Sequence, residues 1–238
     1  MNCLIVAAGQ GTRLREKGES KPLIRVKGVP LIERVINSAR RGGVDDFFVV
    51  SGYRGESLRA ELDAFAAREG LSLTHIVNED WEQPNGVSVY KAKSYLDGPF
   101  LLTMCDHLVD PSVIQDILAW QCEPGTVTLC VDFNVNNPLN DPEDVTRVKC
   151  SAGRIEHIGK VIREFNAIDT GVFLCTPAIF EALEESFADG DQSISGAMNV
   201  LARRGKARTF DIRDRLWVDI DDPAAFNKAE QLIEQGRL

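Results

Sequence analysis

The sequence lacks closely spaced cysteine pairs. Its six cysteines, at positions 3, 105, 122, 130, 150 and 175 of 238, never fall in a C-x-x-C spacing, so no zinc site is signalled. Most lie in apolar, strand-like runs, the usual place for a reduced, buried thiol. A reducing, cytoplasmic compartment is therefore expected. No apolar run is long enough to span a membrane, and the N-terminus shows no secretory pattern, so no membrane insertion is expected. Positive charge is not in excess. The 27 Lys and Arg against 36 Asp and Glu leave a net charge of −9, which argues against nucleic acid or anionic lipid as the main partner. Internal repeats, low-complexity tracts and clear linkers are absent, and the length suits one large α/β domain.

Two familiar phosphate loops are also missing. Residues 3–8 (Cys-Leu-Ile-Val-Ala-Ala) are apolar without alternation, the pattern of a strand covered on both faces in a parallel sheet. The loop that follows carries Gly9 and Gly11, but Leu14 stands where a dinucleotide fingerprint needs its third glycine, and no Gly-Lys-Ser/Thr follows as a Walker loop requires. What the loop does offer is two glycines, Arg13, and Lys21 in Ser20-Lys21-Pro22-Leu23. Glycines let backbone N–H groups close on an anion. A guanidinium can fork onto phosphate oxygens, and an ammonium serves as a mobile point charge. In an acidic chain such locally gathered cations are informative.

Further along, strand-like and helix-like segments alternate with short turns. This predicts an α/β fold with a Rossmann-like, doubly wound, mostly parallel sheet. A helix is expected over about 87–95, with Asn85 as its cap. The strand Pro99–Cys105 ends in Asp106 and His107, at the edge where open α/β sheets place ligands. A carboxylate there needs a partner, and Mg²⁺, which takes one or two protein carboxylates plus phosphate oxygens, is the natural one. His107 reads either as structural or as a substrate contact. Residues 132–144 read as a polar loop and 145–158 as a hairpin delivering Gly159-Lys160. Asn166 and Asp169 precede a returning strand and could hydrogen-bond a polyol, although Asp-Thr-Gly is also an ordinary turn. Asp110 and Asp222 are placed to cap helices.

Ala7-Ala8-Gly9-x-Gly11-x-Arg13-Leu14 with Lys21-Pro22-Leu23 resembles the signature of nucleotidyltransferases that activate sugar and alcohol phosphates. The resemblance implies that the loop (Ala8, Gly9, Gly11, Thr12) holds a nucleoside triphosphate, with Arg13 and Lys21 on its phosphates. It implies that Asn85-Gly86-x-Ser88 reads the base. It also implies that Lys160, in a small β-rich insertion, holds the acceptor phosphate, with His107, Asn166 and Asp169 at the acceptor. The Trp-x-Asp element implies Asp219 as a second Mg²⁺ carboxylate beside Asp106, with Asp221 as the fallback. Residues 1–131 would mainly bind nucleotide, and 132–238 the acceptor.

The second-half elements Gly159-Lys160 and 166–173 (Asn-Ala-Ile-Asp-Thr-Gly-Val-Phe), with those above, are similar to the CTP:inositol-1-phosphate cytidylyltransferases over nearly the whole chain. The partners implied are CTP and a small alcohol phosphate. That family is often fused to a membrane-embedded synthase, which here would be a separate protein, and a homodimer is a further expectation. Phosphocholine and aminoalkylphosphonate cytidylyltransferases share the first-half motifs and stay open, with Trp81, Tyr90 and Asp169 available to an ammonium. A silent nucleotide-binding subunit is the alternative from another class.

Overall fold

A computed structural model describes residues 1–238. Strand β1 (Asn2–Ala7) is buried from Cys3 onward. Two short 3-10 turns, Thr12–Leu14 and Lys21–Leu23, shape the loop after it. A ribbon of β2 (Arg25–Val26) and β3 (Val29–Pro30) leads into α1 (Leu31–Arg41). Then β4 (Asp46–Ser51), α2 (Gly55–Glu69), β5 (Ser72–Val77), α3 (Asn85–Tyr90) and β6 (Phe100–Met104) alternate. Next come β7 (His107–Val109), α4 (Pro111–Ala119) and β8 (Val127–Asp132). The hairpin β9 (Arg147–Ser151) and β10 (Arg154–Gly159) precedes the long β11 (Ala167–Cys175). Helices α5 (Ala178–Ala188) and α6 (Ile194–Arg203), strands β12 (Ala207–Asp211) and β13 (Trp217–Asp219), and helix α7 (Pro223–Glu234) close the chain.

Nine strands form one sheet in the order β5-β4-β1-β6-β11-β8-β12-β10-β9. Neighbours β5, β4, β1 and β6 are parallel, as are β8 and β12. Strand β11 is antiparallel to both β6 and β8, and β10 is antiparallel to β12 and β9. Only β10 and β11 are therefore reversed, and the sheet is mostly parallel as expected. Helices α1, α2, α4 and α7 bury their apolar faces on one side of it, and α3, α5 and α6 on the other, the doubly wound arrangement. No helix is long and apolar enough to cross a membrane.

This topology gathers chemistry at one edge. Strands β1 and β6 end side by side, with Val6 opposite Met104. The reversed β11 begins at that same edge and brings Asp169 to it. The small ribbon of β7 and β13 sets Asp219 opposite His107. Asp110 and Asp222 cap α4 and α7 through the N–H groups of Ser112, Ala224 and Ala225. The helix near residue 87 differs from expectation. It starts at Asn85 behind Pro84 and ends at Tyr90. The Asn85 side chain does not cap it. Its Oδ1 accepts the Ile194 N–H at 3.0 Å, so the amide satisfies an orphan donor of α6 instead.

Candidate active site

Gly11 adopts a positive φ of +61°, and a Cβ there would lie 2.4 Å from Lys21 Cβ. The glycine thus lets the Lys21 stem cross beneath the loop. Lys21 is only 6% exposed, and its Nζ donates to Asp106 Oδ2 at 2.5 Å and to Asp221 Oδ1. Burial disfavours the ammonium, but the charges of Asp106 and Asp219 outweigh it and raise the pKa. Arg13 Nη2 meets Asp221 Oδ2 at 2.5 Å and Asp144 Oδ2 at 2.7 Å.

Behind these lies a packed carboxylate centre. His107 Nδ1 is 2.8 Å from Asp106 Oδ1, and its Nε2 is 3.7 Å from Asp219 Oδ2. The imidazole stacks on Trp217, with centroids 6.1 Å apart and 17° between the planes. Its other face meets Gly171 (φ +73°), where a Cβ would come within 2.5 Å of the ring. Burial works against the His107 charge, yet Asp219, Asp106 and Asp169 prevail and raise its pKa to about 9. Burial also works against ionised Asp106, but Lys21 and His107 hold its carboxyl well below the usual range. Asp169 accepts the Gly171 N–H at 2.7 Å, and burial still pushes it up to about 6 against Gly171 and His107.

A divalent cation fits this centre. One ligand atom from each of Asp106, His107 and Asp219 lie within 4.8 Å of one another, and so do atoms from Asp144, Asp219 and Asp221. Asp219 Oδ1 is buried with no hydrogen-bond partner. An orphaned carboxylate oxygen is unfavourable unless something neutralises it, and burial raises the Asp219 pKa. The carboxylate oxygens of these sets suit a hard divalent cation.

The centre forms the floor of a cavity of about 390 Å³. Gly9, Gly11 and Lys21 line one wall, continued by Trp81, Gln83, Asn85 and Ser88. Asp144, Thr146, Lys160 and Asp169 line the wall supplied by the second half. Lys160 Nζ lies 2.6 Å from Asp144 Oδ1. A glycine loop and two cations therefore face a third cation across a set of acidic side chains.

Residues 3–204 match the MobA-like NTP transferase domain. The chain belongs to the MobA-like NTP transferase family. This NTP transferase is 34% identical over 234 residues to a bifunctional IPC transferase and DIPP synthase of Rubrobacter xylanophilus, covering 96% of this chain and 51% of that one. A protein of the same name from Aquifex aeolicus is 29% identical, covering 97% and 51%. The chain thus spans about half the length of the curated relatives it matches. The solved inositol-1-phosphate CTP transferase of T. maritima superposes with a TM-score of 0.87 at 29% identity, covering 98% of this chain and 95% of that one. A UDP-glucose pyrophosphorylase complexed with UDP-glucose shares the fold at a TM-score of 0.79 and 18% identity.

In this NTP transferase, Gly9, Gly11, Lys21, Asn85, Ser88, Asp106, His107, Lys160, Asp169, Asp219 and Asp221 all reach the cavity, and Arg13 is tied to its rim by Asp144 and Asp221. Besides Arg13, four expected residues do not line it. Ala8 is buried behind the loop, its carbonyl accepting the Tyr53 N–H at 2.9 Å. Thr12 is exposed in the first 3-10 turn. Gly86 faces the turn before α6, where a Cβ would lie 2.4 Å from the Gln192 carbonyl oxygen, so closeness of packing accounts for it. Asn166 needs correction as an acceptor contact. Its Oδ1 accepts the Cys150 N–H at 2.9 Å and its Nδ2 donates to the Cys150 carbonyl at 2.8 Å, which spends the amide on the β9 edge. His107, in the cavity lining, clamps Asp106 through Nδ1.

Asp144 was missed as a site residue. Its only sequence signal is that it closes the polar 132–144 loop just before a strand. Asp132 was missed too. It is 2% exposed and accepts the Trp217 Nε1–H at 2.8 Å, which fixes the indole under His107.

Proposed function

We propose that the protein is a cytidylyltransferase that transfers CMP from CTP to inositol 1-phosphate, giving CDP-inositol and pyrophosphate. The observation that carries this reading is the division of cations, Arg13 and Lys21 beside the glycine loop and Lys160 opposite, around Asp106 and Asp219. The likeness to the inositol-1-phosphate CTP transferase, at 29% identity across nearly the whole chain, supports the choice of acceptor and base.

The chemical obstacle is charge. A phosphate monoester bears close to two negative charges at neutral pH, and two unit charges ~4 Å apart repel by about 1 kcal/mol in water and about 4 kcal/mol at a protein-like dielectric. The acceptor phosphate is already a competent nucleophile, so the site needs no general base. It needs alignment and neutralisation. Lys160 holds the incoming phosphate. Its oxygen attacks the α-phosphorus, the bond to the bridging oxygen breaks, and pyrophosphate leaves toward Arg13 and Lys21. Arg13 meets Asp144 and Asp221 through Nη2 alone, which leaves Nε and Nη1 for phosphate oxygens. Asn85 and Ser88 line the wall beside the base. Mg²⁺ held by Asp106 and Asp219 would supply positive charge to the phosphates.

Pyrophosphate release tests this, with four nucleotides crossed against inositol 1-phosphate, phosphocholine, 2-aminoethylphosphonate and glucose 1-phosphate, with and without EDTA. Metal-dependent release with CTP and inositol 1-phosphate alone is the expected result. Release only with an aminated acceptor would overturn the acceptor and keep the mechanism.

A further inference from the structure

The loop from 132 to 144 is held in place at several points. Asp132 Oδ1 accepts the Asn134 N–H, and its Oδ2 accepts Asn137 Nδ2, both at 2.8 Å, besides the Trp217 indole. Asn140, 7% exposed, accepts the Asp219 N–H at 3.3 Å. The Asp144 N–H itself donates to the Asp141 carbonyl at 3.1 Å. A loop anchored in this way delivers the side chain at its end to a defined place. At that place one Asp144 oxygen meets Arg13 at 2.7 Å and the other meets Lys160 at 2.6 Å. A single carboxylate thus joins the cation assigned to the nucleotide phosphates with the cation assigned to the acceptor phosphate. Neither is used up by it. An ammonium has three donors and a guanidinium five, so both can grip phosphate while still bound to Asp144.

We propose that Asp144 is a positioning residue for nucleotidyl transfer, holding Arg13 and Lys160 at a fixed separation so that the donor α-phosphate and the acceptor phosphate meet in line. This rests on the roles proposed above for those two cations. Direction of effect distinguishes it from the opposite idea, that Asp144 competes with phosphate. A positioning carboxylate aids turnover, whereas a competitor opposes binding.

The test uses Asp144→Asn, which keeps shape and removes charge, and Asp144→Glu, which keeps charge and shifts it outward. Glu143→Gln removes the same charge from the neighbouring exposed position as a control. Kinetics are measured with whichever nucleotide and acceptor the wild type turns over, so a wrong substrate assignment shows in the wild type and a wrong role for Asp144 shows in the variants. Asp144→Asn is expected to lower kcat/KM for the acceptor by about ten- to a hundredfold, through both kcat and acceptor KM. Asp144→Glu should recover acceptor KM but not kcat, and Glu143→Gln should match the wild type. In a Lys160→Met background, Asp144→Asn should add less than about a twofold loss, since the two act as a unit. Unchanged kinetics in Asp144→Asn, a lower acceptor KM, or full additivity with Lys160→Met would each overturn the proposal. Should Asp144→Asn melt below the assay temperature, the Asp144→Glu split between kcat and KM decides alone.

Discussion

The two walls of the cavity are built differently. The phosphate-facing part of the wall proposed for the nucleotide is local in sequence, with Gly9, Gly11, Arg13 and Lys21 falling within a single loop after β1. Its shape comes from the backbone, and Gly11 is glycine because Lys21 passes where a side chain would be. The wall proposed for the acceptor is assembled from the end of a long loop (Asp144), the residue that follows β10 at the open end of its hairpin (Lys160) and the start of a reversed strand (Asp169). Side chains shape it, each fixed by another, as Asp144 fixes Lys160. A wall set by backbone suits an invariant ligand part such as a triphosphate. A wall set by side chains can change its acceptor without changing the fold.

This contrast can be broken most sharply at Lys21. Lys21→Ala should lower kcat by about a hundred- to a thousandfold, read as pyrophosphate release, because no second loop cation can reach the buried position between Asp106 and Asp221. Near-wild-type turnover would remove Lys21 from the mechanism. Lys160→Met should be milder and one-sided, raising acceptor KM by about ten- to a hundredfold, the worth of one charged hydrogen bond, while CTP KM stays within about twofold. An equal rise in both would erase the distinction between the walls. The smallest effect is expected at Asn166. Asn166→Ala should leave acceptor KM unchanged and lower unfolding stability by about 1 kcal/mol through its lost bonds to Cys150, read by urea denaturation. A raised acceptor KM would return it to the cavity.

The same contrast explains what the sequence disclosed. The α/β order was legible because β1, β4 and β6 are rich in apolar residues without strict alternation and α1 and α2 carry apolar stripes. The loop of Gly9, Gly11, Arg13 and Lys21 was legible because its parts are adjacent. Asp106 was legible as a carboxylate ending a buried strand. Asp144 was not, since a carboxylate in a polar loop looks the same whether it faces solvent or Arg13 and Lys160. Asn166 misled in the opposite way, because an amide near a substrate motif is indistinguishable in sequence from one that ties a strand edge. Asn85 was expected to cap its own helix, but its side chain instead accepts the Ile194 N–H of a helix more than a hundred residues away.

The pairing of each of these three cations has a kinetic consequence. Arg13, Lys21 and Lys160 are each already matched to a carboxylate, and the whole chain carries a charge of −9. The cavity therefore projects no positive funnel toward an approaching triphosphate, and long-range steering of the kind that speeds association at low ionic strength is missing. Entry of the nucleotide is an exchange of partners, not a capture by bare charge. Its association rate should hold steady or rise as salt screens the overall repulsion, where an open basic cleft would slow down.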